Sequence, residues 1–325
     1  MKEQSFWKFI LDQLTANKQA LLLTVVDCEK GSPGKKGFKL AFTSDKRTIG
    51  TIGGGIMEYR MIEQYSDRLV HGENICELRY LVHSPNATHG EQSGLSCAGS
   101  QTNCALSLSK KDIPVITAIY TATVNNTASK IIVTEKGITY AEGKNPHHKE
   151  YRRSTTTQWV YEENIGPEFT LFIIGGGHVG NALSRIMTVL DFYVVLYDER
   201  ADLLMMQENQ CADRKIIAPY SELGSYVNSS EKTFATIVTS NSITDTIALR
   251  QLLPLHLLYV GIMGVEAKIE RIKKALNETE QELLMNQKIY APIGLEIGSA
   301  TAEEIAVSIA AELIKVKNKK TEFHD

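Results

Sequence analysis

The sequence lacks the features that mark a membrane span, a nucleic-acid partner or an oxidising compartment. Its 325 residues contain no apolar run of the ~18 residues that a membrane-spanning helix needs. The 35 lysines and arginines against 38 acidic residues give a net charge of −3, which favours neither nucleic acid nor an anionic membrane surface. Five cysteines, an odd number without a CxxC pair, predict reduced thiols and a cytoplasmic location.

The first residues also lack the pattern of a secretory signal peptide. Residues 5–18 place Phe6, Phe9, Ile10 and Leu14 on one stripe among charged side chains, which predicts an amphipathic helix. The hydrophobic content of 43% and charged content of 22% are ordinary for a globular protein, and the length favours about two domains.

What the sequence does contain is a glycine-rich turn in a strand–turn–helix context. Six apolar or β-favouring residues, 169–174, run into Gly175, Gly177 and Gly180, and helical spacing follows over 181–187. The pattern is G-x-G-x-x-G, in which the glycines allow a tight turn, backbone approach to a pyrophosphate, and close helix–strand packing. A tight turn in another kind of α/β domain is the alternative. The ligand predicted for the motif is a dinucleotide or a related phosphate compound.

A second apolar run, 192–197, ends in Asp198, which lies 198 − 180 = 18 residues past the last glycine. A Rossmann unit places its ribose-binding carboxylate at about this distance. Asp198 is otherwise a solvated strand end. Arg200 follows, and its guanidinium is expected either to contact a phosphate bidentately or to form a salt bridge.

Two more apolar runs, 235–239 and 258–262, predict further strands of the same sheet, so residues 169–325 are predicted to form a Rossmann-like domain with a parallel sheet. Asp245 lies in the polar loop after the first of these runs, where open α/β sheets bind ligands. Its alternative role is to cap the next helix. The apolar segment 305–316 predicts a last helix packed on the sheet.

The first half contains a second glycine run, Gly53-Gly54-Gly55, after strand-like segments at 20–26 and 38–43 and before a predicted helix. Three glycines there offer unobstructed backbone N–H groups, or simply a turn that only glycine can adopt. Three lysines nearby in sequence are either solvated or hold an anionic ligand: Lys35, Lys36 and Lys39.

Cys97 lies in a polar, glycine-rich segment, 84–100, rather than in an apolar run. A thiolate there is suited to act as a nucleophile or as a soft ligand for a metal or sulfur, whereas the alternative is a small residue in a turn. Residues 101–140 alternate like an antiparallel meander, and the polar segment 146–168 is predicted to be a linker, with one more strand at 158–161 as the alternative. The prediction for 1–145 is a small α/β domain with a mixed sheet.

Several stretches together resemble the xanthine dehydrogenase accessory factors of XdhC/CoxI type. In the first half these are GSPGKKGFKL (31–40), GTIGGGIMEYRMIE (50–63) and GLSCAG (94–99). In the second half they are IIGGGHVGNAL (173–183), LYDER (196–200), YVGIMG with Lys268, and APIGLEIGSATAEEIAVSIAAEL (291–313). The resemblance covers nearly the whole chain.

The resemblance implies a maturation factor, often a homodimer, that is a cofactor chaperone rather than an enzyme. Such factors bind molybdenum cofactor, help its sulfuration with a cysteine desulfurase, and deliver it to a xanthine dehydrogenase-type molybdoenzyme. Carried onto this sequence, it implies these cofactor-binding residues, with Cys97 also as a contact of molybdenum: Gly53, Gly54, Gly55, Glu58, Cys97, Gly175, Gly177, His178, Gly180, Asp198, Arg200, Asp245 and Lys268.

The sequence departs from the family pattern at three places. The family's Cys-Gly-Gly reads Cys97-Ala98-Gly99, a usual histidine is replaced by Ser240-Asn241-Ser242, and Gly-Ser-Arg reads Gly264-Val265-Glu266. Two other functions stay open. One is an NAD(P)-dependent oxidoreductase, in which Asp198 favours NAD and in which His83 and His89 are the only nearby proton-relay candidates. The other is nucleotidyl transfer to molybdopterin, with Asp198 and Asp245 binding a metal ion.

Overall fold

The protein, as a computed structural model, is described over residues 3–84, 90–155, 157–286 and 289–321. The chain divides into two compact units, Met1–Gly166 and Pro167–Asp325. Within the described ranges, no helix is both long and apolar enough to cross a membrane.

The first unit is built on a six-stranded mixed sheet flanked by two helices. Its elements in chain order are α1 (Glu3–Thr15), β1 (Ala20–Cys28), β2 (Lys39–Thr43), β3 (Thr48–Gly50), α2 (Gly55–Val70), β4 (Cys76–Val82), β5 (Glu91–Gln92) and β6 (Ser100–Leu108). The strand order is β3-β2-β1-β6-β4-β5, in which only β4 and β5 pair in parallel. The predicted mixed sheet is therefore confirmed.

A helix and a second sheet complete the first unit: α3 (Ile113–Asn125), β7 (Ser129–Thr134), β8 (Gly137–Glu142), β9 (Lys149–Arg153) and β10 (Trp159–Asn164). This sheet is antiparallel, in the order β8-β7-β10-β9. Helix α3 corrects the predicted meander, in which residues 115–124 are expected to form a strand. Pro114 stands in the first turn, and Ile116, Ile119 and Ala122 form one buried stripe, so tertiary packing overrides the β-branched composition.

The structure also corrects the predicted linker at 146–168. About half of that segment is β9 and β10, and the division between units falls after Gly166. Trp159 and Tyr161 are buried in the core of the first unit. The polar composition comes from paired charges on the sheet, because Glu162 accepts from Lys130 Nζ at 2.8 Å and from Arg152 Nη2 at 2.7 Å.

The second unit has the strand order of a Rossmann domain. Its elements are β11 (Phe169–Ile174), α4 (His178–Val189), β12 (Phe192–Asp198), α5 (Leu204–Gln207), β13 (Arg214–Ile217), α6 (Leu223–Tyr226), β14 (Ser230–Ile237), α7 (Ser242–Leu252), β15 (Leu257–Ile262), α8 (Glu266–Lys274), α9 (Glu278–Asn286), β16 (Ile289–Tyr290) and α10 (Ala302–Thr321). The parallel sheet runs β13-β12-β11-β14-β15-β16, the order 3-2-1-4-5-6 of dinucleotide-binding folds.

The apolar run of β11 is continuous because both faces of this sheet are covered. Leu171 and Ile173 pack in one cluster with residues of α4 and α10. Phe172 and Ile174 pack in another cluster with residues of α7 and α8. Parallel strands buried on both faces lose the alternation of polar and apolar residues, as the sequence predicted here.

Candidate functional site

The glycine turn after β11 has the tight packing that G-x-G-x-x-G predicts. Gly175 has a φ of 117°, and a Cβ built on it would lie 2.9 Å from the carbonyl carbon of Val238. A Cβ on Gly180 would overlap the carbonyl oxygen of Gly175. Both positions therefore need glycine, the first for its conformation and its neighbour, the second for the approach of α4 to β11.

Gly177 has a different environment. It is the N-cap residue of α4, with an extended backbone (φ −72°, ψ −163°) and no side-chain hydrogen bond to the first turn. A Cβ built there would meet nothing within 4 Å, and His178 next to it is exposed. No side chain therefore caps the N–H groups of the first helical turn, and the Cβ direction of Gly177 is open, as binding of an anion at a helix N-terminus requires.

Asp198 and Arg200 bind each other at the end of β12. The Asp198 carboxylate is fully buried and accepts from Gly176 N at 2.7 Å, Arg200 N at 3.0 Å, Arg200 Nε at 2.9 Å and Arg200 Nη2 at 2.8 Å. Burial alone would raise the pKa of Asp198, but these hydrogen bonds outweigh burial and hold the pKa below its usual value. To hydrogen-bond to this carboxylate, a ribose hydroxyl would have to displace Gly176 or Arg200 as a donor. Arg200, whose side chain is 48% exposed, forms the salt bridge predicted as its alternative.

Asp245 and Lys268 form a buried ion pair at the carboxyl edge of the sheet. Lys268 Nζ also donates to the carbonyl oxygens of Met263, at 3.0 Å, and Thr239, at 3.2 Å. The ammonium thus joins the segments that follow β15 and β14. Asp245 also accepts from the Thr239 hydroxyl, while burial raises the pKa of its carboxyl group despite Lys268. The cap of α7 is Asn241, whose Oδ1 accepts from Ile243 N at 2.9 Å.

The glycine turn of the first unit has three successive residues with positive φ: Gly53 at 128°, Gly54 at 83° and Gly55 at 71°. Gly54 is the N-cap residue of α2, which, like α4, has no side-chain hydrogen bond from its N-cap residue to its first turn. The Thr51 hydroxyl donates to Glu58 Oε1 at 2.5 Å and accepts from Gly53 N at 3.1 Å. A carboxylate is therefore already present where an anion would meet this helix.

The lysines near that turn are used within the unit. Lys39 Nζ lies 2.5 Å from Glu163 Oε2 of β10, and both side chains are largely buried. Lys36 pairs with Asp27 at 3.4 Å, and Lys35 is exposed. The expectation that Lys39 holds an anionic ligand is not supported, because its charge compensates a buried glutamate.

Cys97 is exposed, on a loop (residues 93–99) that packs beside the glycine turn. A Cβ on Gly55 would lie 3.2 Å from Leu95 Cδ2, and a Cβ on Gly99 would lie 3.1 Å from Ser32 N. The loops at 31–34, 53–55 and 93–99 therefore meet in the first unit. In the described part of the chain, no three His, Cys, Asp or Glu side chains form a group suited to a metal ion.

Sequence reasoning missed the buried polar network beneath these loops. Its members are Ser32, His83, Ser93, Gln101 and Asn103, all at most 3% exposed. Gln101 and Asn103 are two residues apart on β6 and point to the same side of the sheet. Two amide side chains, Gln101 and Asn103, at alternate positions of a predicted strand were the available signal. His89, the other relay candidate, lies outside the described residues.

Comparison with known proteins supports the resemblance. The XdhC Rossmann domain matches residues 171–313, and the model of the XdhC and CoxI family matches residues 13–80. The chain belongs to the XdhC and CoxI family.

Two curated relatives and one solved structure are similar to this family member. It is 22% identical over 299 residues to "Uncharacterized protein YqeB" of Escherichia coli K12, covering 90% of this chain and 43% of that protein. It is 24% identical over 172 residues to a probable xanthine dehydrogenase subunit of Bacillus subtilis 168, covering 53% of this chain and 49% of that one. The chain thus spans about half the length of these relatives.

The solved structure is described as a xanthine dehydrogenase from Bacillus halodurans. It aligns with a TM-score of 0.73 at 20% identity, over 98% of this chain and 96% of that chain. At that identity the likeness shows the fold alone.

The structure groups the predicted site residues within each unit. In the first unit, Gly53, Gly54, Gly55 and Glu58 form one turn, and the Cys97 loop packs beside it. In the second unit, the remaining residues lie at the carboxyl edge of the parallel sheet: Gly175, Gly177, His178, Gly180, Asp198, Arg200, Asp245 and Lys268.

Proposed function

We propose that this chain binds molybdenum cofactor, assists its sulfuration, and helps its insertion into a xanthine dehydrogenase-type molybdenum hydroxylase. A cysteine desulfurase and a second copy of the chain are the further partners that we propose. Family membership supports the accessory role, and the open N-terminus of α4 at Gly177 is the observation in the structure that supports binding of the cofactor.

The chemistry of the cofactor suits this turn. Molybdopterin carries a phosphate, and its dinucleotide forms carry a pyrophosphate. The first turn of α4 presents backbone N–H groups and the positive end of the helix dipole, which bind such groups without a charged side chain. Gly177 leaves room for the phosphate, while Gly175 and Gly180 fix the backbone around it. Bound cofactor would supply the molybdenum centre and its sulfur ligand, and this chain would bind, orient and shield it.

Cys97 is the residue that we propose to contact the molybdenum or its sulfur. Its thiol is exposed on a loop that packs against another glycine turn, so a ligand from solvent has access to it. The other four cysteines are buried or half-buried, and Cys76 donates to the carbonyl oxygen of Thr134 at 3.3 Å. Soft thiolate ligands suit a molybdenum–sulfur centre.

A titration with anaerobically prepared molybdenum cofactor tests the proposal. We expect Gly177→Val to weaken binding by about tenfold or more, because the new side chain fills the phosphate space while the extended backbone accepts valine. Val265 shows that this backbone tolerates valine, since it caps α8 with φ −74° and ψ 159°. Val265→Ile is therefore the matched control. Absence of binding to the correctly folded parent protein would end the proposal.

The NAD(P) alternative rests on Asp198, whose oxygen atoms already accept hydrogen bonds from Gly176 and Arg200. Its experiment is titration with NADH followed by nicotinamide fluorescence. We expect no change of the fluorescence at concentrations that saturate ordinary dehydrogenases. A saturable change that Gly177→Val abolishes would instead assign the α4 turn to a nicotinamide dinucleotide.

A further inference from the structure

The Cys97 loop (residues 93–99) is held at both of its ends by one residue, His83. The imidazole Nδ1 lies 2.9 Å from the hydroxyl of Ser93, where the loop begins. The backbone N–H of His83 donates to the carbonyl oxygen of Gly99, where the loop ends, at 3.0 Å. His83 is itself fully buried and follows β4, so its position is set by the sheet.

The other side of the ring reaches the loop at 31–34. His83 Nε2 lies 3.1 Å from Ser32 Oγ, and Ser32 donates to Gln101 Oε1 at 3.0 Å. Gln101 Oε1 also accepts from Gly34 N, at 3.2 Å. Gln101 Nε2 donates to the carbonyl oxygen of Ile52 at 3.0 Å, directly before the Gly53–Gly55 turn. One chain of hydrogen bonds therefore runs from the Cys97 loop to that turn.

The donors and acceptors along this series of hydrogen bonds determine which nitrogen of the His83 imidazole carries the proton. Gln101 Nε2 donates to the Ile52 oxygen, so its Oε1 is the acceptor and the Ser32 proton points to it. Ser32 Oγ must then accept from His83, which places the ring proton on Nε2. His83 Nδ1 is consequently an acceptor for the Ser93 hydroxyl, and Ser93 Oγ accepts from Leu95 N at 3.2 Å. A second ring proton would deprive the Ser93 hydroxyl of its acceptor.

We propose that His83, as a neutral imidazole protonated on Nε2, is a positioning residue that fixes the Cys97 loop relative to the Gly53–Gly55 turn. The inference rests on the proposed function only for the role of Cys97. The hydrogen bonds that carry it belong to the first unit and exist without any ligand. It assigns a task to a histidine that is fully buried.

Hydrogen exchange of the free protein tests this with two isosteric variants. In His83→Asn the amide oxygen stands near the position of Nδ1 and still accepts from Ser93. In His83→Gln the amide nitrogen stands near Nε2 and still donates to Ser32, but the acceptor for Ser93 is lost. We expect the Leu95 amide to exchange about fivefold faster in His83→Gln, the effect of one net hydrogen bond, and at nearly the parent rate in His83→Asn.

The backbone bond from residue 83 to Gly99 persists in both variants, so exchange of the residue 83 amide should not change. If the two variants behave alike, or if protection is lost throughout the first unit, His83 is a packing residue and the inference is wrong. Should either variant fail to fold, Ser93→Ala and Ser32→Ala replace them. Ser93→Ala should release Leu95, whereas Ser32→Ala should not. No cofactor is used, so failure here leaves the proposed function standing, and the reverse also holds.

Discussion

The two glycine turns look alike in sequence, but their glycines serve different purposes. In the first unit, Gly53, Gly54 and Gly55 all have positive φ, so the backbone conformation itself requires glycine. In the second unit, Gly175 alone of the three motif glycines has positive φ, while Gly180 is needed for close packing. Glycine-rich sequence before a helix therefore predicts a turn reliably, but it does not by itself predict why the residues are glycine.

The two turns also differ in what faces the start of the helix. At α2, Thr51 and Glu58 hydrogen-bond to each other beside Gly53, so a carboxylate already complements the helix dipole. At α4, Gly177 leaves an open space and no side chain caps the helix there. The second turn is therefore the better anion site, although a nearby run of lysines made the first turn look more basic in sequence.

The largest expected effect comes from one of those lysines. Lys39→Met leaves Glu163 buried without its closest cation, so we expect the first unit to lose about 3 kcal/mol or more of stability at pH 7. Urea unfolding measures it, with Lys35→Met, at an exposed position, as the control. Burial raises the pKa of Glu163, but Lys39 and other neighbouring groups together lower it further than burial raises it, so the net shift is downward. The stability that the pair contributes should therefore disappear as pH falls through the pKa of Glu163. If the Lys39→Met protein is as stable as the parent but binds phosphate more weakly, Lys39 is part of a ligand site instead.

The next largest effect distinguishes a glycine that close packing requires from a glycine at an open position of the second turn. Gly180→Ala forces α4 away from β11, because its Cβ would overlap the carbonyl oxygen of Gly175. We expect a loss of about 3 kcal/mol in the second unit, typical of overpacking. Gly177→Ala is the matched change at an open position and should leave the urea midpoint nearly unchanged. Equal losses in the two variants would contradict the distinction between the two glycines.

Backbone strain in the first turn gives a somewhat smaller effect. Gly54 combines φ 83° with ψ −174°, a region that is essentially restricted to glycine. A Cβ there meets only Glu58 Oε1, at 3.7 Å, so sterically there is room for a side chain. We therefore expect Gly54→Ala and Gly54→Asn to cost about 2 kcal/mol each in urea unfolding, and asparagine to have no advantage. A clear advantage of asparagine would show that the turn relaxes to the ordinary left-handed conformation.

Much of the fold follows from the sequence, and the failures have physical causes. The continuous apolar runs of β11 and β12 predicted a buried parallel sheet because both faces are covered by helices. Helix α3 was mistaken for a strand because its β-branched residues outweighed the signal of Pro114 and the Ser109–Asp112 capping box. The linker prediction failed because the ion pairs of Glu162 gave β9 and β10 the composition of a loop.

The candidate site was less predictable than the fold. The spacing located the turn at Gly175–Gly180, because the requirements for close packing are encoded in neighbouring residues. The sequence did not identify Asp198 as the partner of Arg200, because that pair depends on the local geometry at the end of β12. It did not identify Glu163 as the partner of Lys39 either, because these residues lie on strands far apart in sequence. The His83 network joins residues from Ser32 to Gln101, and no local pattern brings such positions together.

A pH titration tests whether the neutral imidazole of His83 stabilises the Cys97 loop beside the first glycine turn. Burial lowers the pKa of His83 below 6.5, although its link to Gln101 opposes this. Among the described residues, the side chains that hydrogen-bond to the ring, and to Ser32 beyond it, are uncharged: Ser32, Ser93 and Gln101. Protection of Leu95 should therefore be complete above pH 6.5 and decline as pH falls towards the pKa of the folded state. At pH 5.5 the loss is at most about tenfold, once intrinsic exchange rates are corrected. His83→Asn should show no such decline, and a parent profile that is flat would mean that the imidazole does not hold the loop.

The smallest effect concerns the carboxylate that distinguishes the first turn. Glu58 lies in the first turn of α2, where a negative charge stabilises the helix dipole, so Glu58→Gln should cost about 0.5 kcal/mol in urea unfolding at low salt. Asp67→Asn, near the end of the same helix, is the control of opposite sign, because a negative charge near the C-terminus is unfavourable. If Glu58 also excludes anions from this turn, the variant should bind inorganic phosphate more tightly than the parent in the same buffer. Unchanged phosphate binding together with the loss of stability would mean that the strained turn, rather than its carboxylate, keeps anions away from α2.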